Sequence, residues 1–237
     1  MIKFHPSARQ LSDFVEGTLT PAISLMVSAH CDMCEKCQRF VEIETESLAA
    51  QMVSSASAKM DDSGDTAFQF GDMLAQITAL PSGKQPDSVV TSSVSHHAKP
   101  GASTIELDGR SFTLPRTLHR YIDKTGNWSS LVGKLWQAPV DLGNQGVANF
   151  IFMGSGGSVP EHTHRGTEYT LVIDGEFSDG LSRYDTGDFI FMNGEKTHTP
   201  KAEGKEGCLV FSIVDQPLHF TSGLARLLNP FSHLFFR

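Results

Sequence analysis

Two groups of histidines, cysteines and acidic residues mark places where this chain could do metal chemistry. The first is His30-x3-Cys34-x2-Cys37. A Cys-x2-Cys spacing lets two thiolates converge on one tetrahedral ion while the chain turns from one helix into the next, and His30 sits about one turn earlier. A helix amino terminus at this place is expected to lower the thiol pKa and favour the thiolate that zinc requires. These three donors leave one tetrahedral position open, for which His5 is the upstream candidate. Cys31, three residues before Cys34, is a competing ligand and is expected to be a spare surface thiol. A metal-free redox pair would call for a strand-then-helix context, which is missing here.

The second group reads Gly156-x5-His162-x-His164-x3-Glu168-x6-Gly175. Residues two or four apart on a strand share a face, so His162, His164 and Glu168 are expected on one side of one strand. Gly187 and His198 lie further on, and folding their strand back would bring His198 to the same interior. Three imidazoles and one carboxylate can hold a divalent transition metal, and the set accepts several ions: zinc first, with manganese, iron or nickel as alternatives. His96 and His97 are expected to be solvated, and His119, His219 and His233 have no ligand-like spacing.

The elements that must position these donors differ along the chain. Residues 1–80 read as helical, with Pro6 suited to a first turn and Leu11, Phe14 and Val15 at helical spacing. Thr20-Pro21 opens a second helix running through Leu25 towards His30. A third, from Cys37, carries Phe40, Val41, Leu48 and Met52 on an apolar face before the polar stretch 54–65. A fourth spans Thr66 to Leu80. Four short helices bury little area, so a metal or a partner is expected to stabilise them. Residues 81–103, rich in Pro, Ser and Gly, read as a linker that lets the two blocks reorient. From Thr104 the period switches to two, in runs such as TIEL, SFTL, VANFIFM, EYTLVID, DFIFM and CLVFSIV, which points to an antiparallel sandwich or barrel over residues 104–216. Residues 217–237 are apolar, broken by Gly223 and Pro230, and read as a tail docked on a protein surface.

Composition narrows the function. The 237 residues carry a formal net charge of −8, which argues against sequence-independent binding to nucleic acid phosphates. Residues 1–80 hold five Lys or Arg against eleven Asp or Glu, so the acidity is concentrated where a basic partner would be met. No run approaches the roughly 20 apolar residues of a membrane span. The start MIKFHPSARQ lacks the apolar core of a secretion signal, and the clustered cysteines suit a reducing cytoplasm.

His30, Cys34 and Cys37, with His5 upstream, resemble the motif of the zinc-binding anti-sigma domain of bacteria. The run from Gly156 to Gly175 resembles the first cupin motif at every fixed position; the second is matched at Gly187 and His198, while Asn193, Glu195 and Ala202 depart from it. Such an order of domains, over residues 1–216, is similar to that of ChrR-type anti-sigma factors. The resemblance implies a multidomain α + β protein: a short helical zinc-bound bundle followed by an antiparallel, jelly-roll-like cupin β-barrel. It implies zinc on His5, His30, Cys34 and Cys37, and a divalent metal on His162, His164, Glu168 and His198. It implies a cytoplasmic protein that inhibits an extracytoplasmic-function sigma factor and releases it under singlet oxygen or related oxidants sensed through the cupin. The alternative is an enzyme, a cupin oxygenase with a regulatory helical domain; no general acid or base is recognisable beyond the ligands.

Overall fold

The computed structural model describes residues 1–60, 73–76, 78–79, 103–131, 134–143, 145–164, 166–194, 197–216 and 218–221. Three helices come first: α1 (Ala8–Val15), α2 (Pro21–Cys31) and α3 (Glu35–Met60). Pro6 lies outside α1. Ser7 caps that helix instead, its hydroxyl accepting from the Gln10 backbone N–H while the Gln10 side chain returns to the Ser7 N–H. α3 runs through the start of the polar stretch and ends at Met60, because residues 54–60 contain no Gly or Pro to stop it. Of the expected fourth helix, residues 73–76 and 78–79 are helical; its remainder and the linker residues 81–102 lie outside the described residues.

Twelve strands follow among the described residues. β1 (Thr104–Leu107) and β2 (Arg110–Thr113) form a hairpin, and a 3-10 helix (Arg116–Lys124) leads to β3 (Ser129–Leu131). The main sheet is antiparallel, in the order β10 (Lys201–Ala202), β7 (Glu168–Ser178), β11 (Cys208–Val214), β5 (Val147–Met153), β4 (Leu135–Val140), β3. β8 (Arg183–Asp185) and β9 (Phe189–Met192) also pair with β7. β6 (His162–His164) pairs with β12 (Leu218–Phe220), so the described part of the apolar tail is a strand hydrogen-bonded to the ligand-bearing segment.

β11 is buried at all seven positions, which means that both faces of the sheet are dry. Its residues alternate between two apolar clusters. Val210 packs inward with Val172, Phe177, Ile190 and Met192, while Leu209, Phe211 and Ile213 pack outward with Phe150 and Leu171. That outer cluster also contains Leu25, Met26, Val27 and Ala29 of α2. α2 is apolar almost all round, and a helix of that kind has to be covered on every side. Met1–Val41 and Gly101–Arg237 accordingly form one compact unit, with Glu42–Pro100 a second. Residues 1–41 are thus packed with the sheet, whose outer face and α2 cover each other. Hydrogen bonds add to the contact, between the Ser28 and Thr117 hydroxyls (3.0 Å) and from the Thr117 N–H to Asp32 Oδ2 (2.6 Å).

Gly175 shows how closely the strands approach. Its φ is +87°, and a Cβ placed there would lie 2.2 Å from the Gly207 carbonyl oxygen. Gly175→Ala combines a left-handed backbone with a clash against main chain, so it should cost roughly 3 kcal/mol. Urea denaturation checks this; a midpoint equal to wild type would mean that the strands can part at no cost.

Candidate metal centres

The first group assembles from three elements. His5 lies in the extended segment before α1, His30 in the last turn of α2, and Cys34 and Cys37 in the turn into α3 and its first turn. Their donor atoms all lie within 4.8 Å of one another. His5 Nδ1 is 3.5 Å from both Cys34 Sγ and Cys37 Sγ, and 3.4 Å from His30 Nε2. All but His5 are buried. Two thiols and two imidazoles at this separation are a donor set that could close round one tetrahedral ion. The far nitrogen of His30 is committed: Nδ1 lies 2.9 Å from the Gly187 carbonyl, to which it donates when Nε2 faces an ion. Cys31 is half-buried and stands outside the group.

Burial sets the electrostatics here. It lowers His5, and it lowers His30 to about 4, so both rings are neutral and fit to ligate at neutral pH. Burial, with Cys34 alongside, pushes the Cys37 thiol up to about 12. At Cys37 burial thus works against the expected preference for the thiolate at the helix amino terminus. The ion must therefore displace a proton from Cys37, and acid must oppose binding both there and at His30. Ion affinity of this group should rise about tenfold or more per pH unit between pH 6 and 7.5, since at least one proton is released. Competition with a chelator at each pH checks this, and a flat profile would contradict it.

The second group is split between strands. His162 and His164 stand on β6, Glu168 opens β7, and His198 joins through a β-bridge to His162, with N–H to carbonyl distances of 3.1 and 3.0 Å. The expected single strand is thus broken after His164, yet the four donors still meet. His198 Nε2 is 2.9 Å from both His162 Nε2 and His164 Nε2, and His164 Nε2 is 3.0 Å from Glu168 Oε2. Hydrogen bonding alone does not satisfy this arrangement. His162 Nδ1 donates to the Pro160 carbonyl at 2.7 Å, leaving its Nε2 as an acceptor only, and three ring nitrogens then crowd one point. The Nδ1 atoms of His164 and His198 have no hydrogen-bond partner among the described residues. A cation at the convergence point would satisfy all four donors, and the residues fit one.

Burial lowers His162 to about 4, helped by His198, and burial also lowers His198. Burial alone would raise Glu168, but the surrounding imidazoles and the Ser212 hydroxyl, which donates at 2.8 Å, bring it below its ordinary value. Sequence reasoning missed Ser212 and Thr170, whose hydroxyls both donate to Glu168 Oε1 and hold the carboxylate in place. Their alternation with apolar neighbours on β11 and β7 was the available signal. An apolar cavity lined by Met153, Phe177, Ile190, Met192 and Val210 opens beside His162 and Glu168. Elsewhere, His119 bonds the Leu114 carbonyl at 2.9 Å, and His96, His97 and His233 lie outside the described residues.

The chain is similar to known proteins over most of its length. Residues 123–216 match the family described as the ChrR cupin-like domain. The chain is 28% identical over 233 residues to the anti-sigma-E factor ChrR of Cereibacter sphaeroides, covering 97% of this chain and 98% of that protein. Its fold is also shared with a crystal structure of Rhodobacter sphaeroides SigE in complex with the anti-sigma ChrR, at a TM-score of 0.59 and 24% identity, over 91% of this chain and 100% of that one. Helices followed by an antiparallel cupin-like sheet are common to both.

Proposed function

We propose that this chain, a homologue of the ChrR anti-sigma factor, binds an extracytoplasmic-function sigma factor in the cytoplasm, keeps it from RNA polymerase, and releases it under oxidative stress such as singlet oxygen. It acts as a regulator and not as an enzyme. The observation that carries the reading is similarity to an anti-sigma factor over 97% of the chain, together with two four-donor clusters built from separate parts of the fold. His5, His30, Cys34 and Cys37 hold a structural zinc; the barrel cluster of His162, His164, Glu168 and His198 holds a second divalent metal and senses the signal. Among the described residues no helix is long and apolar enough to cross a membrane.

Inhibition needs only that the chain occupy the surfaces a sigma factor uses on polymerase. The acidic amino-terminal third suits a basic partner, and α3 exposes Ile43, Met52 and Val53, large apolar side chains of the kind found at interaction surfaces. Release then follows from any change that lowers affinity for the bound partner, and it goes only as far as that difference in affinity. The test is co-expression of the full chain with an extracytoplasmic-function sigma factor of the same genome. A co-purifying complex that blocks transcription in vitro is expected. Free sigma factor with full activity would defeat the reading.

A further inference from the structure

The turn between β8 and β9 touches the amino-terminal cluster more intimately than a packing contact requires. The Gly187 carbonyl takes the Nδ1 proton of His30. Asp188, fully buried, receives the backbone N–H groups of Lys3 and Phe4 on Oδ1 at 2.6 and 3.0 Å, and that of Asp185 on Oδ2 at 2.8 Å. The Phe189 N–H bonds the Phe4 carbonyl at 3.0 Å, and the Phe189 ring meets His30 edge-on at 5.8 Å. The segment so clamped ends one residue before His5.

We propose that this turn, through the Gly187 carbonyl and the Asp188 carboxylate, is a positioning element of the amino-terminal ion site. Gly187 fixes the orientation of the His30 ring, and Asp188 fixes the extended segment that carries His5. Two of the four donors, both imidazoles, are thereby aimed by the β-barrel, while the two thiols are aimed by the helical turn alone. The inference rests on the reading of the two clusters as ion sites and adds that the first is complete only with the barrel docked. Groups that orient a ligating histidine are typically worth about 10–100-fold in metal affinity.

Cobalt separates the two clusters in the intact chain. Thiolate-to-cobalt charge-transfer absorption reports the amino-terminal cluster alone, because the barrel cluster has no sulfur donor. In chelator competition, Asp188→Ala should weaken cobalt at the thiolate cluster about 10–100-fold and leave the barrel cluster unchanged. Asp188→Asn, which keeps one acceptor oxygen, should fall between it and wild type. Unaltered thiolate-cobalt affinity in Asp188→Ala would overturn the proposal, and so would equal losses at both clusters, the mark of a merely structural role. A second measurement needs no variant: nitrogen NMR of the zinc-loaded wild type should show His30 protonated and slowly exchanging at Nδ1, and ligation through Nδ1 would overturn the proposal. Absence of any thiolate-cobalt band in wild type would instead remove the ion-site reading, and the inference with it.

Discussion

Replacing Cys34 and Cys37 together by alanine should abolish capture of the sigma factor while leaving the β-barrel folded. The four donors tie the segment before α1, the end of α2 and the start of α3 to a single point. In small zinc domains the ion's binding free energy, of order 10 kcal/mol, is largely folding free energy. Removing it unties the first turn of α3 from His5 and His30, so the surface offered to the partner loses its shape. The inner apolar cluster round Val172 and Val210 contains no residue of α2 or α3, and the barrel should keep a cooperative unfolding transition. We expect sigma-factor affinity to fall at least ~100-fold, a small part of that ion-binding energy. Titration of the partner onto immobilised variant measures this. A double variant that binds like wild type would show that the ion does not shape the binding surface.

The second large effect belongs to the barrel. His162→Ala should still capture the sigma factor but fail to release it, so that photo-oxidative stress leaves the target promoters at their uninduced level. Removing a ligand should weaken the barrel ion by more than about 100-fold, since even the outer partners of ligands are worth about 10–100-fold. Side chains connect the barrel cluster with the segment before α1. His198 Nδ1 lies 3.9 Å from Asp179 Oδ2, which accepts the Tyr184 hydroxyl at 2.9 Å; the Tyr184 ring packs on Phe4 at 4.8 Å, beside His5. Neighbouring side chains thus link the barrel cluster to the segment that carries His5. Promoter-reporter assays with and without a photosensitiser give the readout. Normal induction by His162→Ala would remove the barrel ion from the sensing step.

The local core of each donor set, His30-x3-Cys34-x2-Cys37 and His162-x-His164, was legible before any fold was known, because ligand spacing on one turn or one short strand is local geometry. His30, Cys34 and Cys37 sit on consecutive elements, and His162 and His164 on one strand. The strand-like runs VANFIFM and CLVFSIV became β5 and β11 without change. Two local details were missed although their signals were present. Ser7 and Gln10 form the capping pair that sets the start of α1, and the absence of Gly or Pro carries α3 to Met60.

Other features depended on partners distant in the chain. The bridge that sets His198 beside His162, and the hydroxyls of Thr170 and Ser212 on Glu168, come from strands whose pairing no periodicity specifies. The rise of the Cys37 thiol comes from burial, which local helix geometry does not report. Composition divided the chain near residue 80, whereas packing joins Met1–Val41 to the barrel. Residue types and their spacing are enough to name the groups that can bind an ion. Which groups aim them, and what happens to their protons, is decided only when the apolar faces of α2 and β11 close on each other and exclude water.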